Sequence, residues 1–296
     1  MYLNCHTYYS LRYGTFSPEA LCELAREHGV QTLALTDINN TSACMDFIKI
    51  APKYGIKPLV GVDFRNGVQQ QYVVLARNNK GFRQLNIHLS QYLHQQERFP
   101  SRAPLLPDCY VVYPWERLEG EVTLRENEFI GVSVENLGNF RFSRYCKLLD
   151  KQVLLQPVSF RNKRDFNAHR LLRCIGNNTL LSKLPVAQQG SLSHRMQPEE
   201  ILEQEFEDFP QLLKNTRAIM RECQVSFGFG KQRINQNLQV FSTSPEEDAR
   251  MLRKLCEERL PGRYPELTDK IRMRVEKELQ AIINLGFVCY FLINLD

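Results

Sequence analysis

A histidine and two aspartates, His6, Asp37 and Asp63, stand at or just past the ends of three short apolar runs. The runs are Tyr2-Leu3-Asn4-Cys5, Leu33-Ala34-Leu35-Thr36 and Leu59-Val60-Gly61-Val62. Imidazole and carboxylate are metal-binding side chains, and one His with two carboxylates is a possible set for a single divalent ion. At the carboxyl ends of successive parallel strands, such residues converge on one face, the face that carries the site in an α/β barrel. The blander reading of the same residues is three polar groups bonded to one another and to backbone.

The intervening residues supply the elements that would position them. Ser17-Pro18-Glu19 is a helix start, with Ser as N-cap, Pro in the first turn and an acid near the positive dipole end. Leu21, Leu24 and Ala25 give that helix one apolar face, and Gly29 closes it. A second helix is expected from about Thr41 to Lys53, with Ala43, Phe47, Ile48 and Ala51 inward and Gly55 as its stop. The order is β-α-β-α-β, the pattern of a parallel sheet.

Asn66-Gly67 signals a turn, then Gln71–Arg77 reads as a strand and Gly81–Tyr92 as a helix. Strands are expected at Cys109–Tyr113, Phe129–Val134 and Gln152–Phe160, and helices over 137–151 and Asp165–Ile175. From Pro198 helices dominate, over 198–206 and 209–223. Gly228-Phe229-Gly230-Lys231-Gln232-Arg233 reads as a linker. Ser244-Pro245-Glu246-Glu247 is a capping box opening a helix to Leu260, and another runs from about Pro265 to Gly286. The apolar run Phe287–Ile293, with no polar tail after it, suggests a fragment of a longer protein.

Composition narrows the class. Hydrophobic residues make up 43% and charged residues 24%, as in an ordinary globular chain with a sizeable core. A net charge of +5 permits contact with nucleic acid without arguing for it. Nine cysteines without a CxxC pair speak against a zinc ribbon or disulfide framework and fit a reducing cytoplasm. The first residues lack the features of a signal peptide, and no apolar run approaches the roughly 20 residues that span a bilayer.

Several passages resemble one family. Cys5-His6-Thr7-Tyr8-Tyr9-Ser10-Leu11-Arg12-Tyr13-Gly14 with Ser17-Pro18-Glu19 is similar to the opening motif of bacterial DNA polymerase III alpha subunits. Ala34-Leu35-Thr36-Asp37-Ile38-Asn39-Asn40 and Gly55-Ile56-Lys57-Pro58-Leu59-Val60-Gly61-Val62-Asp63-Phe64 are similar to the next two, and Gly286–Ile293 resembles the start of the palm. Asp165–His169 and Phe209–Thr216 match weaker signatures.

The resemblance implies an α/β fold. Residues 1–225 would be a polymerase-and-histidinol-phosphatase (PHP) domain, a distorted seven-stranded TIM-like β/α barrel. Residues 226–296 would be a helical segment opening the palm. DNA-directed DNA synthesis, with Mg, belongs to the full-length polymerase, whose catalytic carboxylates lie further on, so this segment itself is expected to be inactive. Partners implied for the full-length protein are a proofreading exonuclease subunit, a sliding clamp, other replisome subunits and DNA. The segment is expected to be cytoplasmic and monomeric.

In relatives that hydrolyse phosphoesters, the resemblance implies a metal cluster held by many His and carboxylate ligands. Here Asn4, Tyr13, Ile38 and Gln71 stand at or near ligand positions, and Pro157-Val158-Ser159 aligns with a late Asp-x-His. His6, Asp37 and Asp63 remain as a vestigial site expected to be unoccupied, or at most to hold one weak divalent ion. The expectation is a degenerate PHP site with a structural and docking role. The alternative is an active metal-dependent PHP phosphoesterase or 3'-5' proofreading exonuclease with an altered ligand set. An error-prone relative of the polymerase is a third reading.

His169, beside apolar Leu171, Leu172 and Ile175, is expected to be structural, and His28 a helix-end residue. His88, His94 and His194 have no partner spacing. Arg161, Lys163, Arg164, Arg170 and Arg173 form a basic cluster, read as a solvated helix face before a phosphate contact.

Overall fold

The three runs that lead to His6, Asp37 and Asp63 form neighbouring parallel strands. The computed structural model describes residues 1–118, 120, 123–229 and 240–294. Their strands are β1 (Tyr2–Cys5), β2 (Thr32–Leu35), β3 (Lys57–Asn66), β4 (Gln69–Ala76), β5 (Cys109–Pro114), β6 (Glu128–Val132), β7 (Gln152–Leu154) and β8 (Pro157–Val158). They make one sheet in the order β7-β6-β5-β4-β3-β2-β1-β8.

The sheet is mixed. β4 runs antiparallel to both neighbours, and every other pairing is parallel. Only Gly67 and Val68 separate β3 from β4, and a parallel return needs a crossover of about a dozen residues or more. Gly67, at φ +65°, supplies the left-handed turn. β7 and β8 end the strand order on opposite sides, yet only Leu155 and Gln156 lie between them in the chain. Such a link spans at most roughly 11 Å, so the sheet curls until its two ends approach.

The count of strands differs from the expected seven because Gln152–Phe160 is not one strand. It breaks at Leu155-Gln156, where the Leu155 N–H donates to Val132 O and the Gln156 amide bonds Val134 N and Ser193 O.

The helices of the first unit are α1 (Pro18–Glu27), α2 (Cys44–Ile50), α3 (Asn79–Gln95), α4 (Leu137–Phe140), α5 (Lys163–Asn177), α6 (Glu199–Glu205) and α7 (Pro210–Glu222). Ser17 caps α1 by accepting from Ala20 N at 3.0 Å, and Asn162 caps α5 by accepting from Arg164 N and Asp165 N. α2 is shorter than the sequence suggests, because residues from Ala51 to Tyr54 tighten into a 3₁₀ turn before Gly55. The helix expected over 137–151 is only α4 followed by short 3₁₀ turns. The Gln152 amide donates to the carbonyls of Tyr145 and Cys146, which a continuous helix would use itself. α5 runs two residues past the expected Ile175 and is capped by Asn178, left-handed at φ 47°.

Two compact units divide the chain, Met1–Phe229 and Gly230–Asp296. Val225 and Phe227 pack on the core of the first, and part of the linker expected over 228–233 lies outside the described residues. The second unit contains α8 (Pro245–Arg263), α9 (Asp269–Asn284) and α10 (Val288–Ile293) around Leu252, Leu279, Val288 and Leu292. Ser244 accepts from Glu247 N at 3.2 Å, but the Glu247 carboxylate takes the Thr243 hydroxyl, so the box is half formed.

In the first unit the pleat of β3 sorts the faces. Val62 and Phe64 face an outer core with Leu85 and Leu89 of α3. Asp63 and Arg65 fall on the opposite face by the two-residue period, the face of Val73 and Leu75 and of the main core. Gly61 shares that face, and a Cβ there would lie 2.1 Å from Val74 O. Gly61→Ala should therefore force β3 from β4 and lower unfolding stability by about 3 kcal/mol, measured by urea denaturation. Gly138→Ala, whose Cβ meets nothing within 4 Å, should stay within about 1 kcal/mol of the parent.

Candidate functional site

β1 delivers His6 to the carboxyl end of the sheet, where its N–H bonds Val158 O and its side chain is wholly buried. The ring nitrogens are both engaged. Nε2 lies 2.9 Å from Asp63 Oδ2, and Nδ1 lies 2.8 Å from the Ser159 hydroxyl. With a carboxylate on Nε2, the proton sits on that nitrogen and Nδ1 accepts from Ser159. Burial holds the His6 pKa below its ordinary value, against the pull of Asp63, so the ring is neutral.

Asp63 has a second partner, and this one is charged. Arg65 donates to the same Oδ2 through Nε at 3.0 Å and Nη2 at 2.7 Å. Burial alone would raise the Asp63 pKa, but the Arg65 charge and the bonds from His6 and Arg65 outweigh it and keep the carboxyl ionised. Oδ1 has no hydrogen-bond partner.

Asp37 is separately satisfied. Its Oδ1 accepts from Thr7 N at 2.6 Å and the Ser10 hydroxyl at 2.7 Å, and its Oδ2 from the Thr7 hydroxyl at 2.8 Å. Burial raises its pKa while these bonds oppose the shift. Asn4, Ile38 and Gln71, which the resemblance sets at or near ligand positions, have other partners. Asn4 Oδ1 accepts from the Thr36 hydroxyl at 2.9 Å, leaving Nδ2 without a partner. Ile38 donates its N–H to Ser10 Oγ, and Gln71 bonds Gln69 O and Arg117. The buried Tyr13 ring lies edge-on to His6 and to His169, with the Arg65 guanidinium 4.9 Å above it.

His169 is structural. Nδ1 donates to Tyr13 O at 2.7 Å, and Nε2 accepts from Gly190 N at 2.9 Å. His28 lies at the end of α1 as expected and is itself the C-cap, with left-handed Gly29 following it, and His88 bonds the Tyr72 hydroxyl. In the basic cluster Arg161, Lys163 and Arg164 are exposed, as a solvated face requires, and Arg170 and Arg173 are half-buried. Arg161 pairs with Asp165, Arg170 with the Gln189 side chain and Arg173 with Gln188.

Sequence reasoning missed Arg65 and Asn39. Arg65 carried a signal, since it lies two residues from Asp63 and thus on the same strand face. The structure brings His6 and Asp63 into contact and directs Asp37 to Thr7 and Ser10. Among the described residues, no three His, Cys, Asp or Glu side chains gather as a metal site. The donor set does not fit a metal cluster. Both His6 nitrogens are engaged, Asp63 Oδ2 takes three donors, and a guanidinium stands beside them.

Residues 3–140 match the PHP domain family, and residues 250–296 match the bacterial DNA polymerase III alpha NTPase domain family. Over its whole length the chain is similar to bacterial DNA polymerase III alpha subunits. It is 27% identical to the DNA polymerase III subunit alpha of Halalkalibacterium halodurans, covering 100% of this chain and 29% of that protein. The same protein of Escherichia coli is 24% identical, again over 100% of this chain and 29% of the relative. An error-prone DNA polymerase of Symbiobacterium thermophilum is 25% identical, over 100% of this chain and 31% of its own length. The chain thus spans about three tenths of the length of these relatives. No helix among the described residues is long and apolar enough to cross a membrane.

The core of the first unit also sets a pH response. Burial lowers the pKa of His169 and of His88 to about 4, and that of His6 below its ordinary value. Unfolding frees each to titrate near 6.5, so the unfolded state binds more protons below that pH. The stability these neutral rings contribute is present above about pH 6.5 and is lost as pH falls toward 4. Denaturant titrations should show stability falling across that window, and His169→Gln should flatten the slope.

Proposed function

We propose that this chain is the N-terminal segment of a DNA polymerase III alpha subunit, with its PHP domain serving as a structural and docking module rather than a hydrolase. The observation that carries this reading is that both family matches occur in the family's order and the relatives align over the whole chain. On this reading residues 1–225 form the PHP barrel, with β7 and β8 counted as one interrupted strand to give seven. Residues 226–296 begin the palm. The full-length protein carries out DNA-directed DNA synthesis with Mg on carboxylates beyond this segment. Its partners are DNA, a proofreading exonuclease subunit, a sliding clamp and other replisome subunits, and it works in the cytoplasm.

The absence of hydrolysis is argued from the chemistry of the mouth. Metal-assisted phosphoester cleavage needs ions that clamp the attacking and leaving oxygens. His6 Nδ1, both Asp37 oxygens and Asp63 Oδ2 already accept from Ser159, Thr7, Ser10 and Arg65. The Symbiobacterium relative supports a second reading, an error-prone polymerase of the same family.

The test is elemental analysis of the chain purified without chelator, with hydrolysis of a generic phosphoester in added manganese or zinc. We expect well under one equivalent of metal and no turnover above that of Asp63→Asn. Two or three equivalents, with turnover abolished by His6→Ala, would make the domain a working phosphoesterase or exonuclease instead.

A further inference from the structure

We propose that the guanidinium of Arg65 is a built-in replacement for a divalent cation at His6 and Asp63. The inference rests on the reading of the mouth as a non-hydrolytic site. Three observations lead to it. Arg65 is itself 7% exposed, so its charge is held inside the protein, and both of its bonds to Asp63 go to the oxygen that also receives His6. Asp63 Oδ1 is buried and has no hydrogen-bond partner among the described residues, which leaves it a lone-pair site they do not fill. The backbone at Arg65 is also held in place, because the Asn39 side chain bonds both of its peptide groups. The Asn39 amide donates to Arg65 O at 2.8 Å, and its carbonyl accepts from Arg65 N at 2.8 Å.

Charge explains why this cation would exclude a metal. One carboxylate and one guanidinium balance, with neutral His6 beside them. A divalent ion on the same oxygens would face the Arg65 charge at close range in a buried site, where like charges repel strongly. With the guanidinium removed, both Asp63 oxygens become available, and His6 Nε2 joins them once its proton passes to Nδ1, which then donates to the Ser159 hydroxyl. Asp63 is left with an uncompensated buried charge that favours any cation able to reach it.

Arg65→Met keeps much of the side-chain volume and removes the charge. Its midpoint of thermal unfolding should fall by about 5 °C or more relative to the parent chain. Zinc or manganese at 0.1 mM should restore at least half of that loss, EDTA should reverse the gain, and calorimetry should report about one equivalent bound. The parent chain should shift by less than about 1 °C with the same metals. His6→Ala combined with Arg65→Met should lose the metal response. A folded Arg65→Met chain indifferent to metal overturns the proposal.

If Arg65→Met does not fold, Asp63→Asn/Arg65→Met decides. Removing both charges together should restore a cooperative transition, and a double variant as unfolded as the single one also overturns the proposal. Metal held by the parent chain at His6 and Asp63 would instead overturn the non-hydrolytic reading of the site.

Discussion

Asp63 is ionised and wholly buried, and an isolated carboxylate in that position would carry a desolvation penalty of several kcal/mol. The mouth of the sheet is arranged around meeting that charge. Arg65 is the nearest same-face residue along β3, but side chains two positions apart on a regular strand stand side by side, roughly 6–7 Å apart. Even so, Nε and Nη2 of the guanidinium both reach Asp63 Oδ2. The Arg65 peptide groups face the β2 side beyond the end of that strand. Asn39 supplies their donor and acceptor, and does so from a left-handed conformation at φ 53°. Asn is among the few non-glycine residues that adopt that region readily. A backbone feature after β2 is thus tied to a charge on β3.

The same charge organises an aromatic layer. Arg65 lies over the Tyr13 ring, and Tyr13 stands between His6 and His169. His169 fixes that segment by bonding Tyr13 O and Gly190 N. Gly190 has no room for a side chain, since a Cβ would lie 2.9 Å from the Tyr13 hydroxyl and 3.0 Å from Phe160. Rings therefore pack where a metal site would need polar ligands. That dry packing keeps His6 and His169 neutral and strengthens the ion pair beside them.

The fold was legible where its signals are local. Ser17-Pro18, Asn66-Gly67, the apolar runs of β1 to β3 and the helical spacing of α3 all depend on residues near one another in sequence. The elements that were missed depend on distant ones. The helix expected over 137–151 is lost because the Gln152 amide takes two of its carbonyls, and the strand expected from Gln152 divides at contacts with Val132, Val134 and Ser193. The direction of β4 was implicit in a two-residue turn. In the site, His6, Asp37 and Asp63 stood out by residue type, and the loss of ligand-type residues at Asn4, Tyr13, Ile38 and Gln71 was equally plain. The pairing of Asp63 with Arg65 was not inferred, because an arginine near a strand end usually reads as a solvated charge.

The hydrogen bonds explain how a site with few metal ligands can still hold its remaining polar residues. His6 links the end of β1 to Asp63 of β3 and to Ser159 after β8, while Asp37 after β2 binds Thr7 and Ser10 after β1. These bonds cross between strand ends, where a metal cluster would also cross-link the barrel. Each member is buried, and each is satisfied chiefly by another member. Removing His6 would leave Ser159 short of a partner, and removing Arg65 would leave Asp63 charged and uncompensated. Asn4 differs, since it is neutral and bonds only Thr36. Residues outside the coupled set can change one at a time, whereas His6, Asp63 and Arg65 stabilise the buried state only together.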